Sequence, residues 1–210
     1  MKKDKDNVNI SLYFPQGDIS EKDLIQIANV MKRYNLSMAK ITGGKGITLA
    51  NLPKNNVAEI KNELGLTNKE KSSNIRTIQA CGSLDCRKGV SNAPGFAKIL
   101  RTKTANLQLP GKVKVAVSGC EHCCMQSMVR DLGFIAKPEG WTVTAGGITG
   151  GVKPRVADML AENLNEEEAV KMAVRILKIY SREANGKERL GNTIDRLGLQ
   201  RFKKEINLTG

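Results

Sequence analysis

The stretch "GKVKVAVSGCEHCCMQ", residues 111–126, joins the clearest strand pattern in the chain to a dense group of thiols. Valine alternates with other residues over its first half, which predicts a β-strand. The strand runs directly into Cys120, and His122, Cys123 and Cys124 follow at once. Three of the five cysteines and the only histidine of the chain therefore lie in one loop. Such a loop predicts thiolate chemistry or a metal site.

The other two cysteines, Cys81 and Cys86, have C-x4-C spacing and follow the strand-like "IRTIQAC", residues 75–81. Four thiolates from two such loops suit an iron–sulfur cluster. The same loops would also satisfy zinc, with His122 as a substitute ligand, so the spacing alone leaves both open. His122 can equally be a proton donor near neutral pH or a polar loop residue. The odd number of cysteines argues against a disulfide framework.

The composition is that of a folded globular protein, with 40% hydrophobic and 26% charged residues in 210. No stretch has the length of a membrane span or the pattern of a signal peptide, so we expect a cytoplasmic protein. The net charge of +13 predicts an anionic ligand or partner: nucleic acid, an acidic protein surface, a small oxyanion or a carboxylate-rich cofactor. The aromatic content is only 4%, and the sequence has no recognisable nucleic-acid-binding motif. Both observations argue against nucleic acid as the partner.

The first 66 residues predict the order β-α-β-β-α, which is half of a doubled ferredoxin-like arrangement. Ser20 and Asp23 have the spacing of a helix cap. The polar segment "TNKEKSSN", residues 67–74, reads as a linker. We therefore predict one domain over residues 1–66 and a second over residues 67–210. The predicted strands of the first domain are "VNISLYF" (8–14), "LSMAKIT" (36–42) and "GITLANL" (46–52).

The second domain mixes strands and helices around the cysteine loops. A helix is predicted over "APGFAKILRTKTA", residues 93–105, and a hairpin over "LGFIAK" and "WTVTAGG", residues 132–137 and 141–147. A glycine-rich segment, "GGITGGVKPR", follows. The last third is predicted to be helical and to pack as a tail, with Ala169, Ala173, Ile176 and Tyr180 on one face.

Three segments together resemble the siroheme and [4Fe–4S] half of nitrite and sulfite reductases, and "KITGGKGITLANL", residues 40–52, is similar to the ferredoxin-like half-domain of that family. The resemblance covers residues 8–206. It implies an α+β fold: a ferredoxin-like half-domain (βαββα), then an α/β siroheme and iron–sulfur domain with a helical C-terminal tail. The three segments are "RTIQACGSLDCRKG" (76–89), "KVKVAVSGCEHCCMQSMVRDLGFIA" (112–136) and "GWTVTAGGITGGVKPRVADML" (140–160).

The resemblance implies that four cysteines hold the cluster and that the last of them, Cys124, also bridges to the siroheme iron. Its partners would be Cys81, Cys86 and Cys120, which leaves Cys123 as a spare thiol. The first pair departs from the family pattern of C-x5-C because the loop here is one residue shorter. The second pair keeps the family's C-x3-C spacing.

Siroheme is rich in carboxylates, so its pocket needs cationic side chains and closely approaching backbone. The resemblance places Arg76 in the distal pocket as an anion contact, and we expect Lys153 and Arg155 to share this catalytic role. An alternative interpretation is that each cation, taken singly, is a solvated surface charge. The glycines of "AGGITGG", residues 145–151, would then form an ordinary hairpin end. The predicted cofactor-binding residues are Lys45, Arg87, Lys88, Gly146, Gly147 and Cys124.

The predicted function is siroheme- and [4Fe–4S]-dependent reduction of sulfite to sulfide, or of nitrite to ammonia. Electrons would come from an acidic ferredoxin-like or a flavin donor. Longer family members contain the module twice, so this single copy predicts a homodimer whose partner supplies the missing half, or a site more open than usual. Two other functions stay open: an electron-transfer or siroheme-carrying accessory protein without efficient reduction, and a zinc-stabilised basic module that binds nucleic acid. The single-repeat form favours sulfite over nitrite.

Overall fold

The computed structural model describes residues 6–14, 18–43, 45–66, 74–150 and 153–208. The chain divides into two compact units, Met1–Lys71 and Ser72–Gly210. Apart from Asn74, the predicted linker 67–74 lies outside the described residues. None of the helices in the described ranges combines the length and apolar character that crossing a bilayer requires.

The first unit has the predicted βαββα order. Its antiparallel sheet has the strand order β1-β3-β2, and buried aliphatic side chains such as Leu49, Leu52 and Ile60 form its core. The expected cap of α1 is present as a capping box between Ser20 and Asp23. The elements are β1 (Asn7–Tyr13), α1 (Glu21–Arg33), β2 (Ala39–Thr42), β3 (Gly46–Pro53), a 3-10 turn (Lys54–Asn56) and α2 (Val57–Glu63).

The second unit is a five-stranded sheet in the sequential order β4-β5-β6-β7-β8, followed by three helices. Strands β4, β5 and β6 are parallel, whereas β7 and β8 pair antiparallel to their neighbours. The elements are β4 (Ile75–Ala80), a 3-10 turn (Ser83–Asp85), α3 (Ala93–Thr104), β5 (Val113–Ser118), a 3-10 turn (Ser127–Val129), β6 (Leu132–Lys137), β7 (Gly140–Ala145), β8 (Asp158–Leu164), α4 (Glu166–Glu183), α5 (Leu190–Leu197) and α6 (Leu199–Leu208).

Burial explains why these segments form central strands. Val113, Val115 and Val117 of β5 are at most 2% exposed and belong to one core that the helices cover. On that core Phe96 of α3 stacks on Trp141 of β7, with ring centroids 4.2 Å apart. The predicted hairpin is confirmed as the β6–β7 pair. The α+β fold class is likewise confirmed.

Strand direction decides which loops can meet. The carboxyl ends of the parallel strands β4, β5 and β6 share one edge of the sheet, and both cysteine groups follow strands at this edge. Strand β7 runs back, so its end at Ala145 pairs with Leu132 at the start of β6. Gly146 and Gly147 therefore leave from the opposite edge.

Candidate active site

Backbone hydrogen bonds join the two cysteine loops. We call residues 81–92 the first cysteine loop and residues 119–131 the second. Cys81 continues β4, because its N–H donates to the Val117 carbonyl at 3.2 Å. Gly119 donates its N–H to Cys81 Sγ at 3.1 Å and accepts from the Val90 N–H at 2.8 Å. The strand ends thus bring the Cys81 and Cys120 positions side by side.

Close packing around Ser83 holds the first loop against the second. A Cβ atom on Gly119 would lie 2.1 Å from Ser83 Cβ, and one on Gly89 would lie 1.8 Å from the Ser83 carbonyl oxygen. Ser83 is 1% exposed, and its hydroxyl accepts from the Ala93 N–H at 2.9 Å. Only glycine fits at positions 89 and 119, and the start of α3 is fixed to the same loop.

Two consecutive turns shape the second loop. The Cys123 N–H donates to the Cys120 carbonyl at 3.2 Å, and the Gln126 N–H donates to the Cys123 carbonyl at 2.8 Å. Cys123 has φ +51° and Gln126 has φ +59°, the left-handed region that non-glycine residues rarely adopt. Such conformations persist where surrounding contacts impose them, and they are common at functional sites.

The five cysteines are free thiols. Cys86 and Cys124 are exposed, whereas the remaining three are partly buried. Within the described ranges, no three Cys, His, Asp or Glu side chains are placed to hold one metal ion in common. A [4Fe–4S] cluster does not need ligands that converge on one ion, because each thiolate binds its own iron. The two joined loops carry four soft thiols, and one of these, Cys81, accepts a backbone N–H. These ligands suit a [4Fe–4S] cluster. His122 is exposed beside them.

The predicted cations divide into those near the cysteines and those elsewhere. Arg87 and Lys88 directly follow Cys86 and are exposed. Lys153 is exposed on the segment that enters β8. Arg76 lies on β4, but its side chain is outside the described residues. Lys45 belongs to the first unit, in the turn between β2 and β3, with φ +56°.

Arg155 is engaged as a structural brace, which differs from the predicted contact with substrate. Its Nε donates to Asp195 at 3.0 Å, and its Nη2 donates to Asp158 at 2.5 Å. Its Nη1 donates to the Gly146 carbonyl at 3.1 Å. Each guanidinium nitrogen therefore has a protein acceptor, and the side chain ties the glycine-rich turn to α5. This geometry favours a bracing role for Arg155 over the predicted catalytic one.

Packing within the protein explains why glycine occupies positions 146 and 147, which were predicted to bind siroheme. A Cβ on Gly147 would lie 2.5 Å from the backbone of Arg130, and one on Gly146 would lie 2.7 Å from Arg155 Nη1. Gly146 also has φ +89°. Both therefore make close contacts where the second cysteine loop ends, at Arg130 and Asp131. This is the sheet edge opposite Cys81 and Cys120, so the structure does not bring the glycines beside those thiols. Their contact with siroheme stays a prediction.

Sequence reasoning missed the buried polar groups beneath the second loop. Ser118 and Ser127 are 1% and 0% exposed, and their hydroxyl oxygens are 2.9 Å apart. Asp131, at the end of the loop, is also fully buried and receives two hydrogen bonds from Arg189 at 2.9 and 2.7 Å. Burial raises the pKa of Asp131, and Arg189 opposes that shift. The available signal was a polar serine ending an otherwise valine-rich strand.

Comparison with known proteins agrees with this geometry. The model of the nitrite and sulphite reductase 4Fe-4S domain matches residues 71–209. The model of the nitrite/sulfite reductase ferredoxin-like half domain matches residues 1–66. Both parts of the chain therefore match models of the same family.

Two relatives differ greatly in length from one another. The assimilatory-type sulfite reductase of Nitratidesulfovibrio vulgaris is 28% identical over 194 residues, which cover 91% of this chain and 88% of that protein. The nitrite reductase [NAD(P)H] large subunit of Klebsiella oxytoca is 35% identical over 186 residues, which cover 86% of this chain. The chain spans only 19% of that subunit's length.

Solved structures show the same fold. Dissimilatory sulfite reductase I superposes with a TM-score of 0.80 at 15% identity, over 95% of this chain and 68% of that one. The NirA protein of Mycobacterium tuberculosis superposes with a TM-score of 0.75 at 17% identity, over 94% of this chain and 39% of that one. The family model of the 4Fe-4S domain, together with the sulfite and nitrite reductase relatives, implies a [4Fe–4S] cluster and siroheme as cofactors. The chain belongs to the nitrite and sulfite reductase family.

Proposed function

We propose that the chain reduces a small oxyanion, sulfite to sulfide or nitrite to ammonia, with a [4Fe–4S] cluster and siroheme. The observation that carries the proposal is the pair of cysteine loops joined through Gly119 at one sheet edge. The proposal includes both anions, since an assimilatory-type sulfite reductase and a nitrite reductase large subunit are 28% and 35% identical to most of this chain.

The cysteines are proposed to hold the cluster, with Cys124 shared with siroheme. When bound, these groups supply electrons one at a time. The protein's own part begins with Cys81, whose sulfur accepts the Gly119 N–H, because a donor to sulfur stabilises the thiolate that binds iron. The proposed ligands are Cys81, Cys86, Cys120 and Cys124.

Cationic side chains are proposed to neutralise the charges of substrate and cofactor. Arg87 and Lys88, exposed next to Cys86, suit siroheme carboxylates. Arg76 and Lys153 are proposed to contact the anion, which a positive charge would hold for reduction. The proposed role of Lys45 toward siroheme rests on the family resemblance.

The physiological setting is also part of the proposal. We place the protein in the reducing cytoplasm, where five free thiols persist. We propose an acidic ferredoxin-like or flavin donor, because the chain carries a net charge of +13. We further propose a homodimer, which sedimentation would show as a species of twice the mass of one chain. A fully active monomer would contradict the dimer.

Anaerobic purification, one visible spectrum and metal analysis test the cofactors. We expect siroheme bands, cluster absorption and iron. A colourless zinc protein would contradict the proposal. Reduction of sulfite and nitrite with methyl viologen as donor then tests the activity. Protein that contains both cofactors but reduces neither anion would be an electron-transfer or siroheme-carrying protein instead.

A further inference from the structure

We propose that Ser118 is a positioning residue for Cys124 and acts through a buried chain of hydrogen bonds beneath the second cysteine loop. The inference rests on the proposed function, in which Cys124 holds a cofactor. Ser118 ends β5, two residues before Cys120, and its side chain faces the protein interior at 1% exposure. A hydroxyl in this place must find partners, because burying an unpaired polar group is costly.

Three hydrogen bonds run in sequence from the loop to the sheet. The Met125 N–H donates to Ser118 Oγ at 3.3 Å. Ser118 Oγ lies 2.9 Å from Ser127 Oγ. Ser127 Oγ lies 3.0 Å from the Phe134 carbonyl oxygen of β6. Met125 directly follows Cys124, so the chain begins at the peptide unit that carries the Cys124 carbonyl.

The donor and acceptor of each hydrogen bond in this buried row can be assigned by counting the available protons. Ser127 Oγ lies 3.0 Å from the Phe134 carbonyl oxygen and 3.4 Å from that of Ala116. Carbonyl oxygens only accept, so the single proton of Ser127 is donated to these strand carbonyls, with Phe134 the nearer. Ser118 must then donate its own proton to Ser127 Oγ. The Ser118 oxygen is left to accept from the Met125 N–H. Every hydroxyl proton is used once, and the bonds all point from the loop toward the sheet.

The sheet end of this chain is held on two further sides. The Ser127 carbonyl accepts from Thr144 Oγ1 at 3.3 Å, and a Cβ on Gly133 would lie 2.2 Å from the same carbonyl oxygen. Ser127 therefore has little freedom to shift. Through Ser118 it fixes the backbone next to Cys124, whose own side chain is exposed. The backbone that carries the thiol is thus held by protein contacts before any cofactor binds.

The test compares Ser118→Ala with Thr104→Val, which also removes one buried hydroxyl. Thr104 is 3% exposed and donates only to the Leu100 carbonyl within α3, away from the loop. Amide exchange at Met125, followed by NMR in the apo-protein, should be about fivefold faster in Ser118→Ala and unchanged in Thr104→Val. Loss of cluster iron to a chelator should be about tenfold faster in Ser118→Ala and unchanged in Thr104→Val.

Ser127→Ala interrupts the same chain at its other hydroxyl. It should reproduce both effects, and the double variant should add little to either single change, because the two side chains act as one unit. If Ser118→Ala folds poorly, Ser127→Ala is compared with Thr104→Val in the same two measurements.

The outcomes separate this inference from the proposed function. Unchanged Met125 exchange in Ser118→Ala would overturn the inference and leave the proposed function intact. Faster exchange with unchanged iron loss would also overturn it, since the chain would then fix the loop without positioning Cys124. A wild-type protein that takes up no cluster would overturn the proposed function itself, and the positioning role with it.

Discussion

Gly119 begins the second cysteine loop, bonds to the first loop on two sides and carries no side chain. Its N–H donates to Cys81 Sγ, and its carbonyl accepts from Val90. Ser83 occupies the space where its Cβ would be. Hydrogen bonds to ligand sulfurs are one of the determinants of cluster reduction potential. Gly119 therefore combines close packing with a donor aimed at a proposed ligand.

Gly119→Ala should destabilise the protein by about 1–3 kcal/mol, because the new methyl group would overlap Ser83 unless the loops separate. Separation would also weaken the bond to Cys81 and lower the iron content. Thermal unfolding and iron analysis measure the two effects. Gly82→Ala, in the first cysteine loop, is the matched control, because the nearest atom to its new Cβ, Asp85 Oδ2, would be 3.9 Å away. Equal behaviour of the two variants would contradict the packing argument.

Among the elements, the second cysteine loop is joined to the C-terminal helices through an ion pair in which the Asp131 side chain is fully buried and that of Arg189 is 25% exposed. Asp131 lies directly before β6, and its carboxylate accepts from Arg189 and from the Lys114 N–H. Arg189 is the residue before α5. The helical tail therefore contributes a cation to the base of the loop in addition to packing on the sheet.

Arg189→Met should cost about 3–5 kcal/mol at neutral pH, because it leaves the Asp131 carboxylate buried without its partner. Burial already raises the pKa of Asp131 above its usual 3.8, so the folded state binds this proton more tightly than the unfolded chain. The stability deficit relative to the wild type should therefore grow as pH rises above the raised pKa of Asp131, and shrink on acidification, when the carboxyl is neutral in both proteins. Denaturant unfolding at several pH values measures it.

The control for Arg189→Met is Lys171→Met, which breaks an exposed pair with Glu167. The two side chains are 61% and 76% exposed, and such pairs contribute at most about 1 kcal/mol. A similar loss in both variants, or a deficit independent of pH, would contradict the role assigned to Asp131.

Elements differed in how well the sequence predicted them, and burial pattern is the reason. Strand β5 was predictable because valines alternate along a buried segment, and α1 because Ser20 and Asp23 form its cap. Strand β8 was missed: its residues are partly buried or exposed, and Asn163 within it has φ +57°. The place of the glycine-rich turn was also not predictable, because it depends on the direction of β7.

At the scale of the whole molecule, the net charge of +13 is the property that composition gives directly and that no single contact explains. Long-range attraction of this kind changes association rates far more than the affinity of a docked complex. The proposed acidic donor should gain from it, whereas a small cationic dye should not. Donor dependence therefore separates whole-molecule electrostatics from the chemistry of the cysteine loops.

Reduction driven by an acidic ferredoxin-type donor should slow on the order of tenfold as salt is raised from low to several-hundred-millimolar concentration. At 0.1 M salt, the attraction between charges more than about 10 Å apart is already largely screened. Reduction driven by methyl viologen, a dication, should stay constant or rise over the same range. Steady-state rates at subsaturating donor give the comparison, and saturating donor should abolish the salt effect. Equal salt dependence with both donors would mean that the positive charge serves the anionic substrate or siroheme and not the donor.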